Sequence, residues 1–200
     1  MASFMMGASA KPVNMVALGD SLTAGYQLPG SAALPAALER RLRASGLDVR
    51  IENAGVSGDT ATGGLERLDW AVGDGVDGVI VALGANDMLR GIDPAQTEKA
   101  LSQIIQRLKD RRINVLLVGM LATPSLGREY VERFNAIFPA LAARYGVSLY
   151  PFLLEGVAQN PKLNLADGIH PNREGVEVIA GSMQPTVAKF VEQIAARRPQ

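Results

Sequence analysis

A single α/β domain, with helices covering both faces of a parallel β-sheet, is what this sequence predicts. Three observations carry that expectation. Short runs rich in β-branched residues alternate five times with longer segments of helical periodicity. Two of those runs, Val79-Ile80-Val81-Ala82-Leu83 and Val115-Leu116-Leu117-Val118, are apolar without a break, the profile of strands buried on both faces. No internal repeat, low-complexity tract or linker divides the 200 residues, a length suited to one core. Strands alternating with helices in this way build a three-layer α/β/α sandwich.

The elements follow in order. Val13-Asn14-Met15-Val16-Ala17-Leu18 is the first strand and Gly19 ends it. Ala32 to Ala44 reads as a helix, because Leu34, Leu38 and Leu42 recur at four-residue spacing and Gly46 stops it. Asp48 to Asn53 alternates polar and apolar, as a strand with one better-covered face does. A helix from about Thr60 to Trp70 follows, then the buried strand Val79 to Leu83. Pro94 to Arg111 is helical, with Leu101, Ile104, Ile105 and Leu108 on one stripe and Pro94 in the first turn. After the strand at Val115, Arg128 to Tyr145 is helical with a kink or split expected at Pro139. Val147 to Tyr150 is the last strand. Gly175 to Arg197 is the closing helix, with Pro185 expected to interrupt it.

Bulk composition narrows the chemistry. Twenty basic and twenty acidic residues cancel and form no like-charge run, which argues against nucleic acid or an anionic membrane as partner. The absence of cysteine removes disulfides, thiolate metal sites and a cysteine nucleophile. One histidine, His170, cannot build a multi-histidine metal cage, so any histidine chemistry runs through it. No apolar stretch approaches the ~20 residues of a membrane helix, so integral membrane association is not expected. Residues Met1 to Pro12 are small and apolar, and Ala8-Ser9-Ala10 resembles a cleavage site without a basic segment before it. Two readings stand for them: the remnant of a signal peptide, which implies a periplasmic or secreted protein, or a disordered terminus of a cytoplasmic one. The domain proper runs from residue 13 to residue 200.

Ligands of parallel sheets bind beyond the carboxyl ends of the strands. Gly19-Asp20-Ser21-Leu22 follows the first strand, Ala54-Gly55-Val56-Ser57-Gly58-Asp59-Thr60 the second, and Gly84-Ala85-Asn86-Asp87 the third. His170 lies in Asp167-Gly168-Ile169-His170-Pro171, just before the closing helix. A serine hydroxyl is a weak nucleophile that needs a base, and the base needs an orienting carboxylate. Asp167 and His170 are close enough in sequence to meet within one turn and, folded over this edge, to face Ser21. The amides of Ser21 and Gly58 and the side chain of Asn86 then supply donors for a developing oxyanion.

These four blocks resemble those of the SGNH hydrolases, the GDSL family named for its Ser, Gly, Asn and His. The strings from Ala17 to Tyr26 and from Val56 to Thr60 are similar to the bacterial branch of acyl-CoA thioesterases, lysophospholipases and arylesterases. The resemblance extends from about Val13 to about Ala195. It implies a flavodoxin-like sandwich with five parallel strands and no cofactor. It also implies a catalytic set in which Ser21 is the nucleophile, His170 the general base and then acid, and Asp167 its orienting partner. The Ser21 and Gly58 amides and the Asn86 side chain form the oxyanion hole in that scheme. The small-molecule substrate is then a short- to medium-chain acyl or aryl ester, with thioesters and lysophospholipids as further substrates.

Other readings compete. Asp20, Asp59 and Asp87 read as structural acceptors. Gly73 to Gly78 matches G-x-G-x-x-G but precedes a strand instead of opening a helix, so it is no dinucleotide site. The G-x-S-x-G elbow of α/β-hydrolases is absent. A carbohydrate acetylesterase using the same triad is the nearest enzymatic alternative, and a non-catalytic flavodoxin-like binding module is the alternative of another class.

Overall fold

The sheet that carries the molecule has five strands, all parallel, in the order β2-β1-β3-β4-β5. The computed structural model describes residues 11–198. The Ala8-Ser9-Ala10 segment lies outside the described residues. Lys11 and Pro12 lie within them, and the Pro12 carbonyl accepts from the Arg198 guanidinium at 2.8 Å.

The strands are β1 (Val13–Gly19), β2 (Val49–Gly55), β3 (Gly78–Ala82), β4 (Asn114–Val118) and β5 (Ser148–Tyr150). Every residue of β3 is buried, as its unbroken apolar run requires for a central strand. In the edge strand β2, Val49 and Ile51 are buried while Arg50 and Glu52 are exposed.

The chain leaves β1 toward one edge through α2 (Leu34–Ala44) to reach β2. It then returns across the sheet through α3 (Ala61–Glu66), α4 (Leu68–Ala71), α6 (Pro94–Asp110) and α7 (Arg128–Tyr145). Right-handed crossovers running in opposite directions put these helices on opposite faces. Accordingly α2 packs with the closing helix α8 (Arg173–Arg197), and α6 packs with α3 and α7. Leu101, Ile104, Ile105 and Leu108 of α6 are fully buried, and each such aliphatic contributes about 1.5–3 kcal/mol. No helix among the described residues is long and apolar enough to cross a membrane.

Four local expectations are corrected. Pro139 and Pro185 do not split their helices: α7 and α8 run through them. Both prolines are on the exposed side of their helices, where water can satisfy the carbonyl four residues earlier. The helix expected from Thr60 to Trp70 breaks at Arg67, which joins α3 to α4. The helix expected from Ala32 starts instead at Leu34, after a 3₁₀ turn over Gly30–Ala32. Two short helices, α1 (Ser21–Ala24) and α5 (Ala85–Leu89), stand where only loops were expected.

Candidate active site

Reversal of direction between β1 and β3 leaves a crevice beyond their carboxyl ends, the usual ligand position in such sheets. Ser21 follows β1 and Asn86 follows β3, so they flank it.

At the end of β1 the chain turns sharply into α1. Asp20 caps this turn, its Oδ1 accepting from the Leu22 amide at 3.0 Å. Ser21 is thereby held at the first helical position, 9% exposed. The turn packs against Gly55 so closely that a Cβ there would lie 2.3 Å from the Ala24 nitrogen. Only glycine fits.

Beyond β2, Gly58 adopts φ +87°, a left-handed conformation that side chains disfavour. The Ser21 and Gly58 amides have no accepting partner among the described residues. Asn86 lies between their loops. Its Nδ2 donates to the Asp59 carbonyl at 2.9 Å and to Asp20 Oδ2 at 3.3 Å. Asp87 is 1% exposed and accepts from Thr97 Oγ1 at 3.0 Å and the Ala61 amide at 2.8 Å, a structural role.

The fourth segment folds back over this edge. The Leu165 amide donates to the His170 carbonyl at 2.7 Å, and the Asn172 amide to the Leu163 carbonyl at 2.9 Å. Asn172 then caps α8 through the Gly175 amide at 2.9 Å. Inside the turn, Asp167 Oδ1 accepts from the amides of Ile169 at 2.9 Å and His170 at 3.0 Å. Its Oδ2 lies 2.7 Å from His170 Nδ1, and His170 Nε2 lies 2.9 Å from Ser21 Oγ. The amides of His170 and Ile169, followed by the imidazole, lower the Asp167 pKa to about 2. An ionised carboxylate only accepts, so Nδ1 carries the ring proton and Nε2 accepts from the serine hydroxyl.

Asp20 is perturbed the other way. Burial raises its pKa to about 6, against the lowering effects of the Leu22 amide, the His170 charge and Asn86. Together the structure brings Ser21, His170 and Asp167 into one hydrogen-bonded chain, with Gly58 on the loop after β2 and Asn86 in α5 beside it.

Three residues escaped the reading of the sequence. The Tyr26 ring lies 4.3 Å from the His170 ring, tilted by 34°. Arg90 Nη2 donates to the Gly58 carbonyl at 2.7 Å. Arg67 donates to Asp59 Oδ2 at 2.5 Å and to the Gly19 carbonyl at 2.9 Å. Tyr26 is visible within the first motif, but nothing in the pattern announces that its ring meets that of His170.

Known proteins match the chain along most of its length. It is 38% identical to the arylesterase of Vibrio mimicus, covering 94% of this chain and 91% of that protein. It is 42% identical to the thioesterase 1/protease 1/lysophospholipase L1 of Escherichia coli, covering 88% and 84%. The crystal structure of AlinE4, an SGNH-hydrolase family esterase, superposes with a TM-score of 0.77 at 43% identity, covering 92% of this chain and 98% of that one. Residues 17–178 match the GDSL-like lipase/acylhydrolase family. With that match spanning most of the domain, the chain belongs to the GDSL-like lipase/acylhydrolase family and is an SGNH hydrolase.

Proposed function

We propose that this protein is a serine esterase that cleaves acyl and aryl esters through an acyl-enzyme on Ser21. The observation that carries the proposal is the continuous chain from Ser21 Oγ through both nitrogens of His170 to Asp167, at 2.9 and 2.7 Å. His170 Nε2 takes the serine proton as Oγ bonds to the substrate carbonyl carbon. The carbonyl oxygen becomes an oxyanion, stabilised by the Ser21 and Gly58 amides and by Asn86. The longer bond of Asn86, to Asp20 at 3.3 Å, is the one redirected to it. His170 then protonates the departing oxygen or sulfur as its bond to the acyl carbon breaks. Water gives a proton to His170 as it attacks the acyl carbon. The bond from that carbon to Ser21 Oγ then breaks, His170 returns the proton to Oγ, and the acid leaves. Asp167 holds the ring in place and stabilises the imidazolium in both halves.

Substrate preference is read from the segment after β4. Leu121 is 44% exposed, and Leu126 packs partly against the core. Such a loop offers apolar area to an acyl or aryl group, at about 25 cal/mol for each Å² covered. It has no aromatic platform for a sugar. The names of the Vibrio mimicus and Escherichia coli relatives support aryl esters, thioesters and lysophospholipids as the substrate range.

A panel of nitrophenyl esters of graded length, an acyl-CoA and an acetylated xylose tests this. The apolar esters should be turned over fastest, and Leu121→Ala and Leu126→Ala should shift the preferred chain length. Preference for the acetylated sugar, with both variants unchanged in chain-length profile, would replace this reading with the carbohydrate acetylesterase.

A further inference from the structure

Arg67 sits at the junction of α3 and α4, with only 15% of its side chain exposed. One prong of its guanidinium, Nε, donates to Asp59 Oδ2 at 2.5 Å. Another, Nη2, donates to the Gly19 carbonyl at 2.9 Å. That carbonyl also accepts from the Val56 amide at 3.0 Å. The same side chain therefore grips the peptide just before Asp20-Ser21 and the residue just after Gly58. Arg90 holds the second loop from outside, through the Gly58 carbonyl at 2.7 Å.

As a device for stability alone, this placement is poor. Nη1 is buried without a partner among the described residues, and a largely desolvated ion pair recovers little net energy. As a spacer it is good. The guanidinium is planar and rigid, so two of its nitrogens bonded to two loops fix the separation of those loops. Those segments bear the Ser21 and Gly58 amides, neither of which has an accepting partner among the described residues.

We propose that Arg67 is a positioning residue for the oxyanion donors, setting the spacing between the Ser21 and Gly58 amides without touching substrate. The inference rests on the serine-esterase reading. Donors fixed before the reaction act on the transition state more than on the ground state, so their misplacement lowers turnover and spares substrate binding.

The test compares the wild type with Arg67→Lys, Arg67→Met and Asp59→Asn, using nitrophenyl butyrate and normalising to phosphonate-titrated active sites. Phenylboronic acid, which forms a tetrahedral serine adduct, probes the oxyanion donors directly. Arg67→Met should lose about 10–100-fold in kcat, less than the roughly 10²–10³ seen when a donor itself is removed, with KM within about threefold. Its inhibition constant for the boronic acid should rise by a similar factor. Arg67→Lys, which keeps a charge but loses the fork, should fall between Met and wild type. If Arg67→Met does not fold, Arg67→Lys and Asp59→Asn carry the comparison. Turnover per site within about twofold of wild type in the folded variants, whatever their melting temperature, overturns the proposal, as does a rise in KM alone. Ser21→Ala separates the two layers of argument. If that variant stays active the esterase reading fails, and if only Arg67 is silent the positioning role fails alone.

Discussion

Two aspartates flank the same serine–histidine pair, and their surroundings drive them in opposite directions. Asp20, 1% exposed at the end of β1, is raised to about 6 by burial. Asp167, in an exposed turn, is lowered to about 2 by the amides of His170 and Ile169 and by the imidazole. The difference shows two ways of holding a reactive group. The strand-end segment gains rigidity from packing and carries a poorly solvated carboxylate as the cost. The turn before α8 gains its shape from local hydrogen bonds and keeps its charge, ready to face an imidazolium.

Breaking the exposed half should have the largest effect. His170→Ala removes the only base and should lower kcat/KM for nitrophenyl butyrate by about 10⁴ or more. Asp167→Asn should be milder, about 10²–10⁴, because the amide oxygen still accepts from the turn while the ring loses its charged partner. Asp167 stays ionised down to about pH 2. The acidic limb of the wild-type profile therefore does not report Asp167. A His170→Ala variant with wild-type turnover would end the account.

Breaking the link between the halves comes next. Asn86 bonds to Asp20 on one side and to the Gly58 loop on the other. Asn86→Ala should cost about 10²–10³ in kcat with a modest change in KM. A change confined to KM assigns Asn86 to substrate binding instead.

The smallest effect sharpens the buried half and is read in stability. A carboxyl raised from 3.8 to about 6 on folding binds its proton more tightly in the folded state. Its stabilising contribution is fully present below pH 3.8 and is lost as pH rises through 6. The wild type should therefore gain stability relative to Asp20→Asn as pH falls from 7 to 4. The gain should be on the order of 3 kcal/mol, because each tenfold rise in proton affinity on folding is worth about 1.36 kcal/mol. Parallel denaturation curves for the two proteins across that range would contradict the buried-carboxylate assignment.

Much of this was legible in the sequence because the signals were local or unique. The strands announced themselves by apolar runs, and the four motifs fell at strand ends or a helix entry. The single histidine left one candidate base. What stayed hidden had physical reasons. The helices α1 and α5 span four and five residues, too short for a 3.6-residue period to register. Pro139 suggests a kink or split and Pro185 an interruption, because the exposure that lets each helix run on is a property of the folded helix. Arg67 and Arg90 act on backbone carbonyls 48 and 32 residues away, and a carbonyl has no sequence signature.

The central claim is that Ser21, activated by His170, forms the acyl-enzyme. Its most direct test is peptide mapping by mass spectrometry after treatment with a fluorophosphonate, on the wild type and on His170→Ala. The account predicts one adduct per chain, on Ser21, formed rapidly in the wild type and orders of magnitude more slowly without His170. An adduct on Ser57 or Ser125, or equally fast labelling of Ser21 in His170→Ala, would contradict it.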